Sequence, residues 1–249
     1  MIRHHPRKAA TLSILTRHFL NIRTKLWQPL PAQPCFLCGS ASRNGVWCAA
    51  CDADLPYLTT ERCPVCALPT HDGATCGQCL RHPPHFDRTV AVFAYAFPLN
   101  KLVLSLKHHE KLVLANDLAD KLTQRITVRP DCLVAMPLHP ARLRTRGFNQ
   151  SFELARHIGR QMDISTRLNA CQRKRDTPPQ TALSRKERNR NVRQAFICTQ
   201  DFSGQHVAIV DDVMTSGASL NELAQTLRKA GAREISAWVI ARTLPHSAS

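Results

Sequence analysis

Two adjacent carboxylates, Asp211 and Asp212, follow the apolar run Val207–Val210 and precede a small hydroxyl-rich turn, Thr215-Ser216-Gly217-Ala218-Ser219. The apolar run is too short for a helix and predicts a buried strand that ends at the acids. Beyond the turn, Leu220, Leu223, Ala224 and Leu227 recur at helical spacing as far as Gly231, a helix stop. A strand that opens through such a turn into a helix N-terminus aims free N–H groups and a positive dipole end at one spot, which suits an anion. Neither GxxxxGK(S/T) nor GxGxxG is present. Carboxylates do not bind phosphate, but they suit vicinal ribose hydroxyls or a magnesium ion. Acids beside a phosphate cradle therefore point to a sugar phosphate lying across the strand end.

A second anion-binding candidate is Leu138–Gln150, LHPARLRTRGFNQ, which follows the short apolar run Cys132–Met136. Arg142, Arg144 and Arg146 alternate before Gly147, and Asn149 can cap a helix that begins near Ser151. Guanidinium forks match phosphate oxygens two at a time.

Eight of the eleven cysteines form four CxxC knuckles: Cys35/Cys38, Cys48/Cys51, Cys63/Cys66 and Cys76/Cys79. Each cysteine of the first two knuckles recurs 28 residues later, an internal duplication. Two residues between cysteines let both thiolates face one ion, and two knuckles complete a tetrahedral zinc site of four thiolates. The spacing predicts two structural Zn2+ ions, with redox-active CxxC as the competing reading. The duplication favours one ion per repeat (Cys35, Cys38, Cys48, Cys51, then Cys63, Cys66, Cys76, Cys79), while a crossed pairing of knuckles stays open. Large apolar residues are few here, so metal binding is expected to supply much of the folding free energy. Cys132, Cys171 and Cys198 stand singly and read as packing residues.

The elements that must position these groups follow from the rest of the 249 residues. Strands are predicted over Thr89–Phe97, Cys132–Met136, Gln205–Asp211 and Glu234–Ala241, alternating with helices over Leu99–Lys107, Leu112–Ile126 and from Ser151 and Leu220 onward. That alternation implies an α/β fold with an open parallel sheet and helices on both faces. Ligands in such sheets sit beyond the carboxyl ends of the strands, where acid loop and arginine turn both lie. Thr177–Phe196 is proline-led and basic, including Arg185, Lys186, Arg188 and Arg190; its start reads as a lid-type loop and Leu183–Phe196 as partly helical.

Three parts result: a basic arm over 1–34, expected to be disordered; a double zinc-ribbon module over 35–84; and the sheet domain over 85–249. The net charge of +16 attracts polyanions without saying what is done to them. An aromatic share of 6% weakens a base-stacking platform but leaves phosphate-tracking contacts open. No apolar run reaches the ~20 residues of a membrane span, and no secretory signal is evident, so a cytoplasmic location is expected.

The acid pair with its loop resembles the signature of type I phosphoribosyltransferases, which bind phosphoribosyl pyrophosphate (PRPP). The resemblance implies that Asp211 and Asp212 hold the ribose hydroxyls and that Thr215, Ser216, Gly217, Ala218 and Ser219 wrap the 5′-phosphate. Ala218 departs from the pattern in lacking a hydroxyl often found there, and Ser219 stands where threonine is common. Four knuckles, then MPLHPARLRTRGFNQ, then RDTPPQTALSRKERNRNVRQAF, then this loop resemble the ComF family over residues 35 to about 243. That resemblance implies a role in natural competence and DNA utilization, with single-stranded DNA and the DNA-uptake machinery as partners and Mg2+ accompanying PRPP. Arg142, Arg144 and Arg146 are then candidates for pyrophosphate, and Arg185, Lys186, Arg188 and Arg190 for DNA. No acceptor pocket or general base is legible, so enzyme activity stays open. The alternative is an active phosphoribosyltransferase of nucleotide salvage.

Overall fold

A computed structural model describes residues 32–43, 45–58, 61–106, 113–175 and 192–245. Most of the basic arm and the charged segment holding Arg185, Lys186, Arg188 and Arg190 lie outside these residues.

The architecture is the α/β sheet that the alternation implied. Five parallel strands run in the order β3 (Arg88–Ala94), β9 (Glu234–Arg242), β8 (His206–Met214), β4 (Cys132–Ala135), β5 (Ser165–Thr166). Alternation along the strands sorts their side chains between two faces. Ala208, Val210, Trp238 and Ile240 pack with helices α3 (Leu99–Ser105), α4 (Val113–Thr123) and α6 (Gln150–Met162). Val207, Ile209, Ala237 and Val239 pack with Leu220, Leu223, Ala224 and Leu227 of α7 (Ala218–Lys229). Both faces are therefore covered, as a parallel sheet requires.

Within the ribbons the 28-residue duplication recurs in the local fold. The first contains the hairpin β1 (Gln33–Pro34) and β2 (Ala41–Ser42), with Pro34 opposite Ala41; the second has a bridge between Arg62 and Pro69. Each ends in a short helix capped by a cysteine, α1 (Ala49–Ala53) after Cys48 and α2 (Gly77–Arg81) after Cys76. The turn after the first knuckle of each repeat needs positive φ, met by Gly39 at +77° and by Ala67 at +57°.

The ribbons clasp the open edge of the sheet. Between them, the Leu58 amide donates to the Val92 carbonyl and the Ala94 amide to the Pro56 carbonyl, covering edge strand β3. Cys35, Val46, Trp47 and Leu55 of the first ribbon enter the α3/α4/α6 core, whereas Leu58, Cys63, Cys66, Ala67 and Cys79 enter the α7 core. One copy thus seals each face.

Two expectations need correction. Strand β8 does not stop at the acids but runs to Met214, because β9 pairs with it over the full length. The three arginines lie not on an extended turn but on helix α5 (Pro140–Arg146), which Pro140 opens and left-handed Gly147 (φ 79°) closes. Of Leu183–Phe196, expected to be partly helical, residues 183–191 lie outside the described residues; 192–194 form a turn, and Phe196 begins β7 (Phe196–Cys198), which pairs antiparallel with β6 (Cys171–Arg173). Cys132 and Cys171 are buried and Cys198 half-buried. None of the described helices is long and apolar enough to cross a membrane.

Candidate functional site

The acid pair sits where β8 outruns its neighbour. On the β4 side the pairing ends at Ala135 opposite Val210, while on the β9 side Asp211 pairs with Val239. Alternation slips here: Val210 and Val213 pack against the same core, although three residues apart in a regular strand they would face opposite sides. The slip is shared by the neighbouring strands, since Ile240 with Ala241 and Val92 with Phe93 also face that core, and β8 keeps one register on β9 through it. The Asp212 amide donates to Asp211 Oδ1 at 3.0 Å and the Val213 amide to Asp212 Oδ1 at 2.7 Å, so both carboxylates are steadied by their own backbone.

Asp211 is positioned from α6. Asn149 caps this helix, its Oδ1 accepting from the Ser151 and Phe152 amides, while its Nδ2 donates to the Met136 carbonyl at the end of β4. That places the Ser151 hydroxyl 2.8 Å from Asp211 Oδ1. Burial, then the neighbouring Asp212 charge, push the Asp211 carboxyl up to about 8, against the Ser151 hydroxyl and the Asp212 amide. Burial and, behind it, the Asp212 charge likewise raise the phenol of Tyr95, which follows β3.

The loop after the acids leads into α7. Gly217 takes φ 79° as its N-cap, and the Ala218 amide donates to Ser216 Oγ at 3.3 Å. A Cβ at 217 would meet only the mobile end of Met214, Cε at 2.8 Å, so it is the positive φ that favours glycine there. Thr215, Ser216, Gly217, Ala218 and Ser219 are all partly accessible, as are Asp211 and Asp212. Hydrogen-bond donors, hydroxyls and a positive dipole end follow directly upon two carboxylates.

A polar cleft of ≈ 550 Å³ adjoins the loop, its walls including Ser216, Gly217, Asn221, Arg242 and, from the second ribbon, Cys66 and Cys79. Sequence reasoning missed the ribbon as a wall, because nothing local in a CxxC repeat says what it will pack against. It also missed Ser151 and Arg242. The signals were a hydroxyl in the first turn of a capped helix and a lone arginine continuing the apolar run of β9.

Helix α5 separates the three arginines by face. Arg142 and Arg146, four apart, are half-buried, whereas Arg144 is exposed. Arg146 Nη1 donates to Gln150 Oε1 at 2.8 Å, and Gln150 is itself buried.

The eight knuckle cysteines form two clusters, Cys35, Cys38, Cys48, Cys51 and Cys63, Cys66, Cys76, Cys79, each with all ligand sulfurs within 4.8 Å of one another. Each cluster lies within one repeat. Around an ion with Zn–S of ~2.3 Å, tetrahedral geometry sets neighbouring sulfurs ~3.8 Å apart. Cys38 to Cys48 is 3.7 Å and Cys66 to Cys76 is 3.6 Å, so the donor sets fit zinc. The thiols also behave as shared-charge sites. Against burial, backbone amides of Cys38, Cys48 and Leu37 bring Cys35 down to about 6; burial opposes but the Cys79 amide and thiols bring Cys76 down to about 7. Cys51 is pushed up, chiefly by the Cys38 thiolate, and Cys79 by burial and the Cys66 thiolate. Like charges crowd until a cation neutralises them.

Fold and site together define a phosphoribosyltransferase-type sheet domain clasped by a double zinc ribbon. The double zinc ribbon domain matches residues 29–80 and the phosphoribosyl transferase domain residues 149–246. The chain is 37% identical to DNA utilization protein YhgH of Escherichia coli (strain K12) over 84% of this chain and 97% of that protein. It is 30% identical to competence protein F of Haemophilus influenzae, over 84% of this chain and 90% of that one. Among solved structures, a glutamine PRPP amidotransferase from B. subtilis is 18% identical with a TM-score of 0.39, covering 55% of this chain and 30% of that chain. The chain belongs to the ComF family of competence and DNA utilization proteins.

Proposed function

We propose that the chain binds PRPP or a related sugar phosphate through Asp211, Asp212 and Thr215–Ser219, and that it acts in the utilization of DNA. The single observation behind the ligand is the acid pair near the carboxyl end of β8, beyond its pairing with β4, oriented by Ser151 and followed by an N–H-rich loop into α7. In this reading the carboxylates hold ribose hydroxyls and the loop wraps the 5′-phosphate. Mg2+ fits the hard oxygen donors available, being held by one or two carboxylates together with ligand phosphates. Arg142 and Arg146, half-buried on one face of α5, supply charge for pyrophosphate in preference to the exposed Arg144.

The names of the relatives, DNA utilization protein and competence protein, support the biological setting. Single-stranded DNA is the polyanion proposed, engaged by Arg185, Lys186, Arg188 and Arg190, and the site of action is cytoplasmic. Ribbons over 35–84 and sheet domain over 85–249 then work as one unit, as their shared cores require.

Calorimetric titration with Mg2+–PRPP, with and without single-stranded DNA, tests the reading. Wild type binds, the Asp211→Asn/Asp212→Asn variant does not, and DNA alters the PRPP affinity. No binding by wild type overturns it. Pyrophosphate release with one particular acceptor, lost in Asp211→Asn, would instead identify a salvage transferase.

A further inference from the structure

A buried side chain links the second ribbon to the loop. Arg242 ends β9 with 4% exposure, and its guanidinium faces both ways. Nε donates to the carbonyl of Cys66 at 2.8 Å. Nη1 donates to the Met214 carbonyl at 3.0 Å, to the Thr243 carbonyl at 2.9 Å and, closely, to the carbonyl of Thr215. Cys66 belongs to the second zinc cluster; Thr215 opens the phosphate loop; Met214 lies under Gly217. A planar fork with fixed donor directions thus ties a metal ligand to the two residues that launch the loop.

The rest of that knuckle is held from the sheet as well. The Thr89 amide donates to the Pro64 carbonyl at 2.9 Å, and Thr89 Oγ1 to the Val65 carbonyl at 2.5 Å. Three successive carbonyls, of Pro64, Val65 and Cys66, therefore accept from β3 and β9. The first ribbon has no such link to the loop among the described residues. Its contacts to the sheet domain run through Asp117 and Lys121 of α4 and the edge of β3, on the other face.

We propose that Arg242 is a positioning residue through which the metal state of the second ribbon sets the order of the phosphate loop, so that sugar-phosphate binding requires zinc in the second ribbon and not in the first. This rests on the reading of Thr215–Ser219 as the phosphate loop. Bound metal clamps the Cys63–Cys66 knuckle and keeps the Cys66 carbonyl in place. Without it the knuckle relaxes, the buried guanidinium loses an acceptor, and it must re-aim to stay satisfied. The Met214 and Thr215 carbonyls are then released, and the amides behind them no longer converge on one anion.

Cys76→Ser, Cys38→Ser and Arg242→Lys in the full chain test this. Cys76 ligates in the second ribbon yet lies outside the knuckle that Arg242 touches; Cys38 is a ligand of the first ribbon's cluster. Zinc content, hydrogen exchange of segment 213–220 and Mg2+–PRPP affinity are measured on each. Cys76→Ser is expected to speed exchange in that segment and weaken PRPP, each on the order of tenfold, the scale of one lost charge-assisted hydrogen bond. Cys38→Ser, also short of one zinc, changes neither. Arg242→Lys retains both ions and reproduces the loosened loop, because an ammonium cannot span the same acceptors. Combined with Cys76→Ser it adds little, as expected for two breaks in one path. Unchanged exchange in Arg242→Lys overturns the proposal, as does an equal response to loss of either ribbon's metal. If Cys76→Ser fails to fold, Arg242→Lys decides. If wild type does not bind PRPP, the ligand reading falls, and hydrogen exchange alone still decides the coupling.

Discussion

The two zinc ribbons are copies of one design set in different surroundings. Both have the knuckle turn, the cysteine-capped helix and the four-thiolate cluster, 28 residues apart. The first leaves Cys38 exposed and Cys48 and Cys51 half-buried; the second buries Cys63, Cys66 and Cys79. The first docks by side chains: Asp52 accepts from Trp47 Nε1, Tyr57 OH and Lys121 Nζ, and Asp117 Oδ2 accepts the Val46 amide at 2.6 Å. The position equivalent to Asp52 in the second copy is Leu80, which is exposed. The second docks instead by its own knuckle carbonyls. Duplication can therefore supply two similar staples while the surroundings make one a buttress of the edge and the other a wall of the cleft beside Ser216 and Gly217.

The largest expected effect falls on the buried copy. Cys63→Ser/Cys66→Ser removes half of a metal site whose binding free energy is folding free energy, on the order of 10 kcal/mol in small zinc modules. It opens the α7 core to which those residues belong, so calorimetry should show a collapsed or missing main transition. Cys35→Ser/Cys38→Ser should leave the α7 core intact and lower the midpoint less. Equal losses would break the contrast.

Asp52→Ala probes the docking of the first ribbon alone. It removes three donors' common acceptor, including the 2.7 Å ion pair with Lys121, and about 1–3 kcal/mol of stability in denaturant titration is expected to go with it. PRPP affinity should not change. Gly217→Ala is the matching probe on the other side. Its positive φ costs about 1–3 kcal/mol for a residue with a Cβ, and here PRPP binding should be lost.

Asp211→Asn separates stability from ligand binding through pH. The folded carboxyl titrates near 8 instead of the ordinary 3.8, so the native state keeps a proton that the unfolded chain releases. Wild-type stability thus falls as pH rises from about 4 through about 8. Asparagine lacks that term, so thermal melts should show the variant gaining on wild type across this window, with the gap constant above it. The gain would come with loss of PRPP binding, the usual conflict at a strained site. The smallest effect is expected for Gly39→Ala, where φ is +77° and nothing crowds the new methyl: about 1 kcal/mol, from backbone conformation alone.

Much of this was legible beforehand, for identifiable reasons. Cysteine spacing reports ligand geometry directly, since two intervening residues suffice to turn both thiolates onto one ion. The strand, acid, turn and helix order of 207–230 is likewise local and was read correctly in kind. The run of β8 past Asp211–Asp212 was not legible, because it depends on where β4 stops and β9 continues beside β8. Nor was the helical form of Pro140–Arg146, where Arg142, Arg144 and Arg146 alternate in sequence and suggested an extended segment. Proline at its start and glycine at its end were the better guides.

By itself, then, the sequence determined the donor sets, the loop chemistry and the alternation of strands and helices, because each is settled by neighbours a few residues away. Tertiary structure decided which copy of the ribbon lies against the loop that follows the acids. That outcome rests on contacts such as Cys66 to Arg242 and Ser151 to Asp211, which join residues 176 and 60 positions apart. Packing on opposite faces of one twisted sheet brings them together, and no periodicity in the chain encodes that meeting.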